Sequence, residues 1–351
     1  MQRVRALVSG RTNRHLEDGS RSVRWNNKNA LITGADGFIG SHLAKTLLSL
    51  GANVSAILHQ PIRRGQSRLL LWEIASNVQG YIGDVADADF VQSTLGQAKP
   101  QWIFHLAAQS IVGKGQRSAQ ATIDTNVRGT INILALSKSL GDLEGIIVAS
   151  SDKVYGDSEH LPYEEHMPLK GGSVYATSKV CADLLATCYA TSLDLPLCIT
   201  RCANIYGPGD LHFSRIVPET IREVLRERAP IIRGDGLHER DFMFINDAVD
   251  GYLRLADYLS STRANGEVFN FGTGAPVRVI DLVNKILSIS NASRSVPIIL
   301  NEELSSEIRT QYVDSGKARS QLDWHPRTPL VDGLSTTIEW YSEHFRLNLE
   351  S

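Results

Sequence analysis

Tyr175 and Lys179 lie four residues apart in a segment whose helical periodicity runs to about residue 191. This spacing places both side chains on one face of a helix. A phenol with a pKa of about 10 is a poor base at neutral pH, but a neighbouring ammonium group favours the phenolate. The pair therefore predicts a general base for a hydroxyl proton. A surface tyrosine and lysine at helical spacing is the alternative.

A glycine-rich segment about 140 residues upstream gives this pair its context. The segment is Gly34-Ala35-Asp36-Gly37-Phe38-Ile39-Gly40, with G-x-x-G-x-x-G spacing, between a predicted strand and a predicted helix. Glycines permit a tight turn and a close approach of the backbone to a pyrophosphate, whose charge the helix N-terminus stabilises. The segment predicts a dinucleotide-binding loop; a βα turn without a ligand is the alternative.

The residues after the second predicted strand leave the choice of dinucleotide open. No acidic residue stands where one usually binds the ribose 2′-hydroxyl of NAD, and a segment from His59 to Arg63 and Arg64 occupies that region. Either arginine suits the 2′-phosphate of NADP, although a solvated loop is the alternative. Asp84, just past the third predicted strand, is a candidate to bind the adenine amino group or to form a turn.

A third segment brings together a hydroxyl group, a carboxylate and an amine. Ser151, Asp152 and Lys153 follow the fifth predicted strand. In α/β folds, ligands bind at the carboxyl ends of such strands. These side chains can exchange protons with a bound substrate, so we interpret them as candidate catalytic residues. A solvated ion pair between Asp152 and Lys153 is the alternative.

The elements that must position these residues alternate between strand and helix. Helical periodicity after the first strand stops at Gly51, and Asp87 is placed to cap a helix over 88–95. This alternation predicts an α/β fold with a doubly wound parallel sheet of the Rossmann type. The predicted strands span residues 30–33, 54–58, 78–82, 102–106, 146–149, 197–201 and 268–271.

The chain divides into three predicted parts. Residues 1–24 contain six arginines, two acidic residues and no sustained apolar period. They predict a disordered basic tail, with a transit peptide or a phosphate-binding arm as alternatives. The predicted dinucleotide-binding domain comprises 25–204 and about 241–272. The predicted substrate-binding domain, a smaller α/β unit built from C-terminal segments, comprises about 205–240 and 273–351.

Composition excludes several function classes. The 351 residues are 42% hydrophobic and 21% charged, with a formal net charge of −2, as in an ordinary folded soluble protein. A net charge this close to zero does not attract nucleic acid or an anionic membrane. No apolar run approaches the ~18 residues needed to cross a bilayer. Four cysteines without a C-x-x-C pair give no disulfide framework, so we expect a reducing cytoplasm and no metal site.

These motifs together resemble the extended short-chain dehydrogenase/reductase family of nucleotide-sugar enzymes. The resemblance extends from about Trp25 to the C-terminus and includes the Tyr175 and Lys179 pair. It implies bound NAD, with NADP as the alternative, a nucleotide-sugar substrate and homodimers formed through two long helices per subunit. His105, within one matching motif, is expected to be a packed core residue. The other matching segments are the glycine loop, 104–108, 125–130 and 201–207.

The resemblance also implies roles for individual residues. Leu106, Ala107, Ala108 and Asn126 are expected to contact the cofactor, together with the glycine loop, Tyr175 and Lys179. Asn204, Arg240 and Arg309 are expected to bind the sugar diphosphate, for which arginine is suited.

Within the family, the Ser-Asp-Lys run most resembles the 4,6-dehydratases, and among them those acting on CDP-glucose. Epimerases usually carry only small hydroxyl residues at this place. In this interpretation Tyr175 takes the C4 hydroxyl proton and Ser151 binds the C4 oxygen. Lys153 takes the C5 proton, and Asp152 protonates the departing C6 hydroxyl.

Two alternatives remain open. The first is a 4-epimerase, or a dehydratase acting on another nucleotide sugar. The second is a non-catalytic protein that senses a dinucleotide, which the intact Tyr175 and Lys179 disfavour.

Overall fold

A single seven-stranded parallel sheet forms the centre of the molecule. The computed structural model describes residues 23–63, 67–110, 118–262, 265–292, 296–302 and 307–349. The strand order is β11-β6-β5-β4-β1-β2-β3, which confirms the predicted doubly wound parallel sheet. The strands are β1 (Asn29–Thr33), β2 (Asn53–Leu58), β3 (Val78–Ile82), β4 (Trp102–His105), β5 (Gly145–Ala149), β6 (Leu197–Cys202) and β11 (Glu267–Phe271).

Helices cover both faces of this sheet, which explains why its strands are almost continuously apolar. Alternate residues of a strand point to opposite faces: Ile103 and Ile146 contribute to one buried cluster, whereas Phe104 and Ile147 contribute to the other. The helices are α1 (Phe38–Ser49), α2 (Arg68–Leu71), α3 (Ala88–Ala98), α4 (Ala119–Ile123), α5 (Gly129–Ser137), α6 (Val174–Leu193), α7 (Ile216–Leu225), α8 (Ile245–Thr262), α9 (Val279–Ile289), α10 (Gly316–Leu322) and α11 (Leu330–Leu349).

Short strand pairs from the second half of the chain form the smaller layer. The strand β7 (Asn204–Tyr206) pairs with β10 (Phe242–Phe244), and β8 (Ile231–Ile232) pairs with β13 (Ile298–Ile299). A third sheet has the order β12-β9-β14. Its strands are β12 (Val277–Arg278), β9 (Glu239–Arg240) and β14 (Thr310–Gln311). The domain boundaries given above stay a prediction.

Local sequence signals begin and end the helices as predicted. Asp87 accepts hydrogen bonds from the amides of Asp89 and Phe90 and so caps α3. Gly51 follows the C-cap Leu50 of α1 with φ of +85°, a conformation that glycine adopts without strain.

The described chain begins inside the fold. Val23, which the sequence analysis placed in the basic tail, is buried, and its amide donates to Asp257 Oδ1 at 2.8 Å. The tail's residues 1–22 lie outside the described residues. Among the helices that the structure describes, none combines the length and apolarity needed to cross a membrane.

Candidate active site

The glycine loop lies at the point where the strand order of the sheet reverses. β1 pairs with β2 on one side and with β4 on the other, so a crevice opens beyond its carboxyl end. Gly34 has φ of +74°, and a Cβ there would lie 3.0 Å from the Cα of Ala107. A Cβ at Gly40 would overlap the main-chain oxygen of Gly34. Glycine is therefore required at both positions by close packing of the backbone.

This loop suits a pyrophosphate. Gly37 is the N-cap of α1, and no side chain caps the first amides of the helix. These amides and the positive end of the helix dipole remain available to an anion. Leu106, Ala107 and Ala108 directly follow β4 and are only partly buried, and the backbone of Leu106 and Ala107 lies beside Gly34. The residues present thus fit a dinucleotide, as the sequence predicts.

Three predicted cofactor residues also have structural contacts. The Asp36 carboxylate accepts hydrogen bonds from Ser67 Oγ at 2.8 Å and from the Leu69 amide at 3.0 Å, at the start of α2. The Phe38 side chain is buried in the core, and Ile39 packs against that core. Asp36 therefore connects the glycine loop to α2, and its contact with the cofactor stays a prediction.

The residues that were candidates for the adenosine half lie further out. His59 and Arg63 are exposed after β2, and Arg64 lies outside the described residues. Asp84 accepts a hydrogen bond from the Ala86 amide at 2.9 Å, which makes it a turn residue. Its possible contact with adenine stays a prediction.

Asn126 and His105 hold the floor of the crevice in place. Asn126 accepts a hydrogen bond from the Gln109 amide at 2.7 Å and donates to Ser178 Oγ at 2.8 Å. Asn126 therefore links the segment after β4 to α6. The His105 nitrogens bond to the hydroxyls of Thr33 and Thr130 at 2.8 and 2.9 Å, and burial lowers the pKa of His105 to about 3. His105 is thus a neutral core residue, as expected.

Tyr175 and Lys179 are both buried on α6. Burial raises the pKa of Tyr175 to about 12, and a hydrogen bond with Ser151 opposes this increase. The Lys179 Nζ donates to the main-chain oxygen of Ala149 at 2.7 Å, and burial lowers the pKa of Lys179 to about 8. The sequence analysis expected Lys179 to favour the phenolate, whereas burial has the largest effect on the pKa of Tyr175 in this structure.

Ser151 caps a 3₁₀ turn over Asp152–Tyr155, accepting a hydrogen bond from the Lys153 amide at 3.3 Å. The Ser151 Oγ also donates to Asp152 Oδ1 at 3.1 Å. One short turn therefore carries the hydroxyl, the carboxylate and the amine, and its Ser151 and Asp152 lie close enough to the phenol of Tyr175 to act on its pKa.

Asp152 and Lys153 have shifted pKa values of opposite sense. Asp152 is 2% exposed, and burial raises its pKa to about 6, against the opposing effect of Lys153. Burial lowers the pKa of Lys153, and Asp152 opposes that change. Within the described residues, Asp152 Oδ2 has no hydrogen-bond partner. The turn thus holds a carboxyl that protonates readily and an amine that deprotonates readily.

Of the predicted arginines that the structure describes, Arg240 is the one beside this turn. Arg240 is buried and close enough for its charge to act on Asp152, and its guanidinium bonds Glu307 Oε2 at 3.2 Å. Asn204 donates to the main-chain oxygen of Asp241 at 3.3 Å. The Arg309 side chain is exposed and paired with Asp235 at 2.7 Å, so its role in substrate binding stays a prediction.

Two site residues were missed by the sequence analysis. Gln311 accepts a hydrogen bond from Lys153 Nζ at 3.4 Å. The charge of Arg215 lowers the pKa of Tyr175, and its guanidinium bonds Asp210 at 3.0 Å. Gln311 lies in a two-residue strand and Arg215 directly before α7, so no periodicity marked either one. In the described part of the chain, no group of three His, Cys, Asp or Glu side chains could hold a metal.

Comparison with known proteins identifies the family. The family model described as GDP-mannose 4,6 dehydratase matches residues 31–337. The chain belongs to this family. This membership confirms the prediction of an enzyme from the nucleotide-sugar dehydratase and epimerase group.

Individual relatives cover nearly the whole chain. The dTDP-glucose 4,6-dehydratase of Streptomyces griseus is 31% identical over 90% of this chain and 94% of its own length. The CDP-glucose 4,6-dehydratase of Salmonella typhimurium is 28% identical over 92% of both chains. The similarity therefore extends over about nine-tenths of each chain.

Solved structures of both reaction types share the fold. The dTDP-glucose 4,6-dehydratase DesIV of Streptomyces venezuelae, solved with NAD bound, has a TM-score of 0.81 and 27% identity, covering 91% of this chain and 98% of its own. The UDP-glucose 4-epimerase of Thermotoga maritima has a TM-score of 0.82 and 26% identity, covering 90% and 99%. The fold alone therefore does not separate dehydratase from epimerase.

The raised pKa of Asp152 predicts a pH-dependent stability. Because the folded-state pKa is about 6 against an ordinary value of 3.8, the native carboxyl holds its proton more tightly than the unfolded one. The resulting stabilisation is complete below about pH 4 and is lost as the pH rises through about 6. Asp152→Asn keeps the shape without titrating. Its free energy of unfolding relative to wild type should therefore rise by about 1 kcal/mol between pH 5 and pH 8.

Urea unfolding at the two pH values measures this difference. Asp157→Asn, which removes an exposed carboxylate from the same loop, is the control for a change in charge alone. An Asp152→Asn effect of equal size at pH 5 and pH 8 would contradict the assignment of a buried, readily protonated carboxyl.

Proposed function

We propose that this chain is a nucleotide-sugar 4,6-dehydratase that acts on CDP-glucose with bound NAD. One observation carries the proposal: a buried carboxyl with an unpaired oxygen, Asp152, lies next to an amine, Lys153, beside the phenol of Tyr175. Oxidation at C4 needs one base, and elimination of water needs two further proton-transfer groups. This site provides all three in Tyr175, Asp152 and Lys153. A 4-epimerase needs no acid at this position.

The cofactor assignment rests on the glycine loop and on the NAD-bound relative. The first amides of α1 would hold the pyrophosphate, and Leu106 to Ala108 would lie against the rest of the dinucleotide. Bound there, the dinucleotide would supply a hydride acceptor for C4 of the sugar and a hydride donor for C6. The alternative, NADP, would need Arg63 or Arg64 as the partner of its 2′-phosphate.

Tyr175 and Ser151 act at C4. Ser151 hydrogen-bonds the C4 oxygen and Tyr175 accepts the hydroxyl proton as that carbon becomes a ketone. Because burial disfavours the phenolate, this proton transfer requires positive charge near Tyr175, which Arg215 supplies. Lys179 lies one turn further along the same helix with its amine on Ala149, and it would orient the ribose of the cofactor.

Asp152 and Lys153 then remove water. The new ketone acidifies the C5 hydrogen, which the neutral amine of Lys153 takes. The C5 electrons form a C5=C6 double bond as the C6–O bond breaks, and Asp152 gives its proton to the departing hydroxyl. Delivery of hydride to C6 and return of a proton from the Lys153 ammonium to C5 complete the sugar product. The proton that Tyr175 took from the C4 hydroxyl must then pass to Asp152, which restores both residues, so the net change is the loss of one water molecule. The opposite pKa shifts of Asp152 and Lys153 favour these two roles.

The choice of CDP-glucose rests on the Ser151-Asp152-Lys153 run and on the CDP-glucose relative. We expect purified protein to convert CDP-glucose to a 4-keto-6-deoxy sugar faster than the dTDP-, UDP- or GDP-hexoses of a parallel panel. The product is identified by mass spectrometry as a loss of one water molecule. Dehydration of another member of the panel would support the dehydratase reaction on a substrate with a different nucleotide base. Interconversion of C4 epimers alone would favour the epimerase.

Asp152→Asn should separate oxidation from elimination. The variant retains the size of the side chain but has no acidic proton, so elimination should slow by roughly 10²- to 10⁴-fold while C4 oxidation is less affected. With CDP-glucose, the near-ultraviolet absorbance of reduced nicotinamide should increase while product formation falls. Tyr175→Phe is the contrasting variant, since loss of the phenolic oxygen should prevent both signals. Native product formation by Asp152→Asn would refute the acid role.

We also propose a homodimer, which the family resemblance implies. Apolar side chains are exposed on helices that pack together: Ile123 on α4 is 37% exposed, and Leu184 on α6 is 57% exposed. If this surface contacts a second copy, Leu184→Glu should yield a monomer in sedimentation experiments. Val331→Glu, at a 50% exposed position on α11, is the matched control and should retain the dimer. Equal masses for both variants would contradict this interface.

A further inference from the structure

Gln311 lies beside the candidate catalytic residues, and its side chain is completely buried. It belongs to β14, which pairs in parallel with β9 so that Gln311 is opposite Arg240. The main-chain oxygen of Gln311 accepts a hydrogen bond from the Asp241 amide at 3.2 Å. The backbone of this short strand is therefore fixed against the segment that carries Arg240.

The two ends of the Gln311 amide differ in their contacts. The Oε1 atom accepts a hydrogen bond from Lys153 Nζ at 3.4 Å. The Nε2 atom is buried and has no hydrogen-bond partner within the described residues. Since a lysine ammonium can only donate, the amide oxygen must face Lys153, and the NH₂ group must face elsewhere. The orientation of the amide thus follows from its neighbour.

A second unpaired atom lies in the adjacent turn. Asp152 Oδ2 is buried without a partner in the same described part of the chain. Asp152 directly precedes Lys153, and the charge of Arg240 acts on both residues. Buried donors and acceptors are nearly always paired in native proteins. A ligand rich in hydroxyl groups, such as a hexose, offers both an acceptor for Gln311 Nε2 and a hydrogen-bond partner for Asp152 Oδ2.

Packing alone does not account for an amide at this position. Main-chain contacts already hold the strand and its continuation: the Tyr163 amide donates to the Tyr312 oxygen at 3.0 Å, and Tyr163 pairs with Val313. A leucine would fill a similar space without burying an unpaired donor. The polar atoms of Gln311 therefore require an explanation beyond the stability of the strand.

We propose that Gln311 is a positioning residue for Lys153, and that its Nε2 donates a hydrogen bond to an oxygen of the bound hexose. This proposal rests on the proposed function, because it places Gln311 beside the group that removes the C5 proton. The charged groups that face Lys153 are Asp152 from its own turn, Arg240 from β9 and Glu307 from the segment before β14. Gln311 is an uncharged residue that contacts the same amine.

Two substitutions test the contact with Lys153 without relying on activity. Gln311→Glu places a carboxylate beside the amine and stabilises the ammonium, so the titration midpoint of Lys153 should rise by about one pH unit. Gln311→Leu removes the accepting oxygen, so the midpoint should fall. NMR of the intact chain with ¹³C at the lysine Cε measures both midpoints, and Lys153→Met assigns the resonance. Midpoints equal to that of wild type in both variants would overturn the positioning role.

Kinetics on CDP-glucose provide the second readout. In Gln311→Glu, the limb of the pH profile that requires neutral Lys153 should shift to higher pH, with kcat at pH 7 reduced about 10-fold. In Gln311→Leu, the loss of the Nε2 contact should raise KM. An unchanged KM in Gln311→Leu would refute the contact with the hexose.

A neighbour on the same strand supplies the matched control. Thr310 Oγ1 donates to Glu239 Oε2 at 3.0 Å, so Thr310→Val removes a side-chain hydrogen bond from β14 without touching Lys153. It should leave the Lys153 midpoint and the kinetics unchanged.

The two proposals fail in different ways. Wild-type protein that dehydrates no nucleotide hexose refutes the proposed function, while the NMR midpoints still decide the contact with Lys153. A wild-type dehydratase whose Lys153 midpoint is unchanged in both Gln311→Glu and Gln311→Leu refutes the positioning role alone. If Gln311→Glu does not fold, the Lys153 midpoint in Gln311→Leu is the test: a fall supports the positioning role, and an unchanged midpoint refutes it.

Discussion

The site depends on one buried ion pair between α6 and β6. Arg201 donates from Nε to Asp183 Oδ2 at 2.9 Å and from its terminal nitrogen to Oδ1 at 2.8 Å. Asp183 lies one helical turn beyond Lys179, so this bidentate contact sets the position of the catalytic helix along the sheet. Arg201 also donates to the Tyr155 hydroxyl at 3.0 Å, which fixes the turn carrying Asp152. Removing either partner would leave an uncompensated buried charge, which typically destabilises a protein by about 3–5 kcal/mol.

The features that local sequence determines were predictable. The seven central strands were placed to within one residue at each end, because their apolar runs are short, rich in branched side chains and bounded by helix-length segments. The glycine loop was predictable for a similar reason, since backbone crowding at Gly34 and Gly40 demands glycine irrespective of distant residues. Tyr175 and Lys179 share a helix face because their spacing alone determines it.

Features that depend on tertiary contacts were not predictable. Strands of two residues, such as β9 and β14, carry no periodicity, so the positions of Gln311 and Arg240 could not be inferred from pattern. Arg309 was considered for the sugar diphosphate from its place in the chain, and nothing in the sequence indicates its ion pair with Asp235 at the surface. The partner of Lys179, a main-chain oxygen on β5, has no signature in the sequence. The effect of burial on Tyr175 likewise requires knowledge of what surrounds the phenol.

The strands of the β12-β9-β14 sheet come from separate parts of the chain, and their order in the chain determines when the candidate active site can be completed. Its three strands come from segments near residues 240, 277 and 310, and the middle strand is the first of them in the chain. During synthesis, β9 emerges before both of the strands that pair with it. Strand β14, which carries Gln311, is added only with the final tenth or so of the chain. Such long-range pairing is slow to close. Catalytic competence is therefore a late event in folding, well after the central sheet has its first five strands.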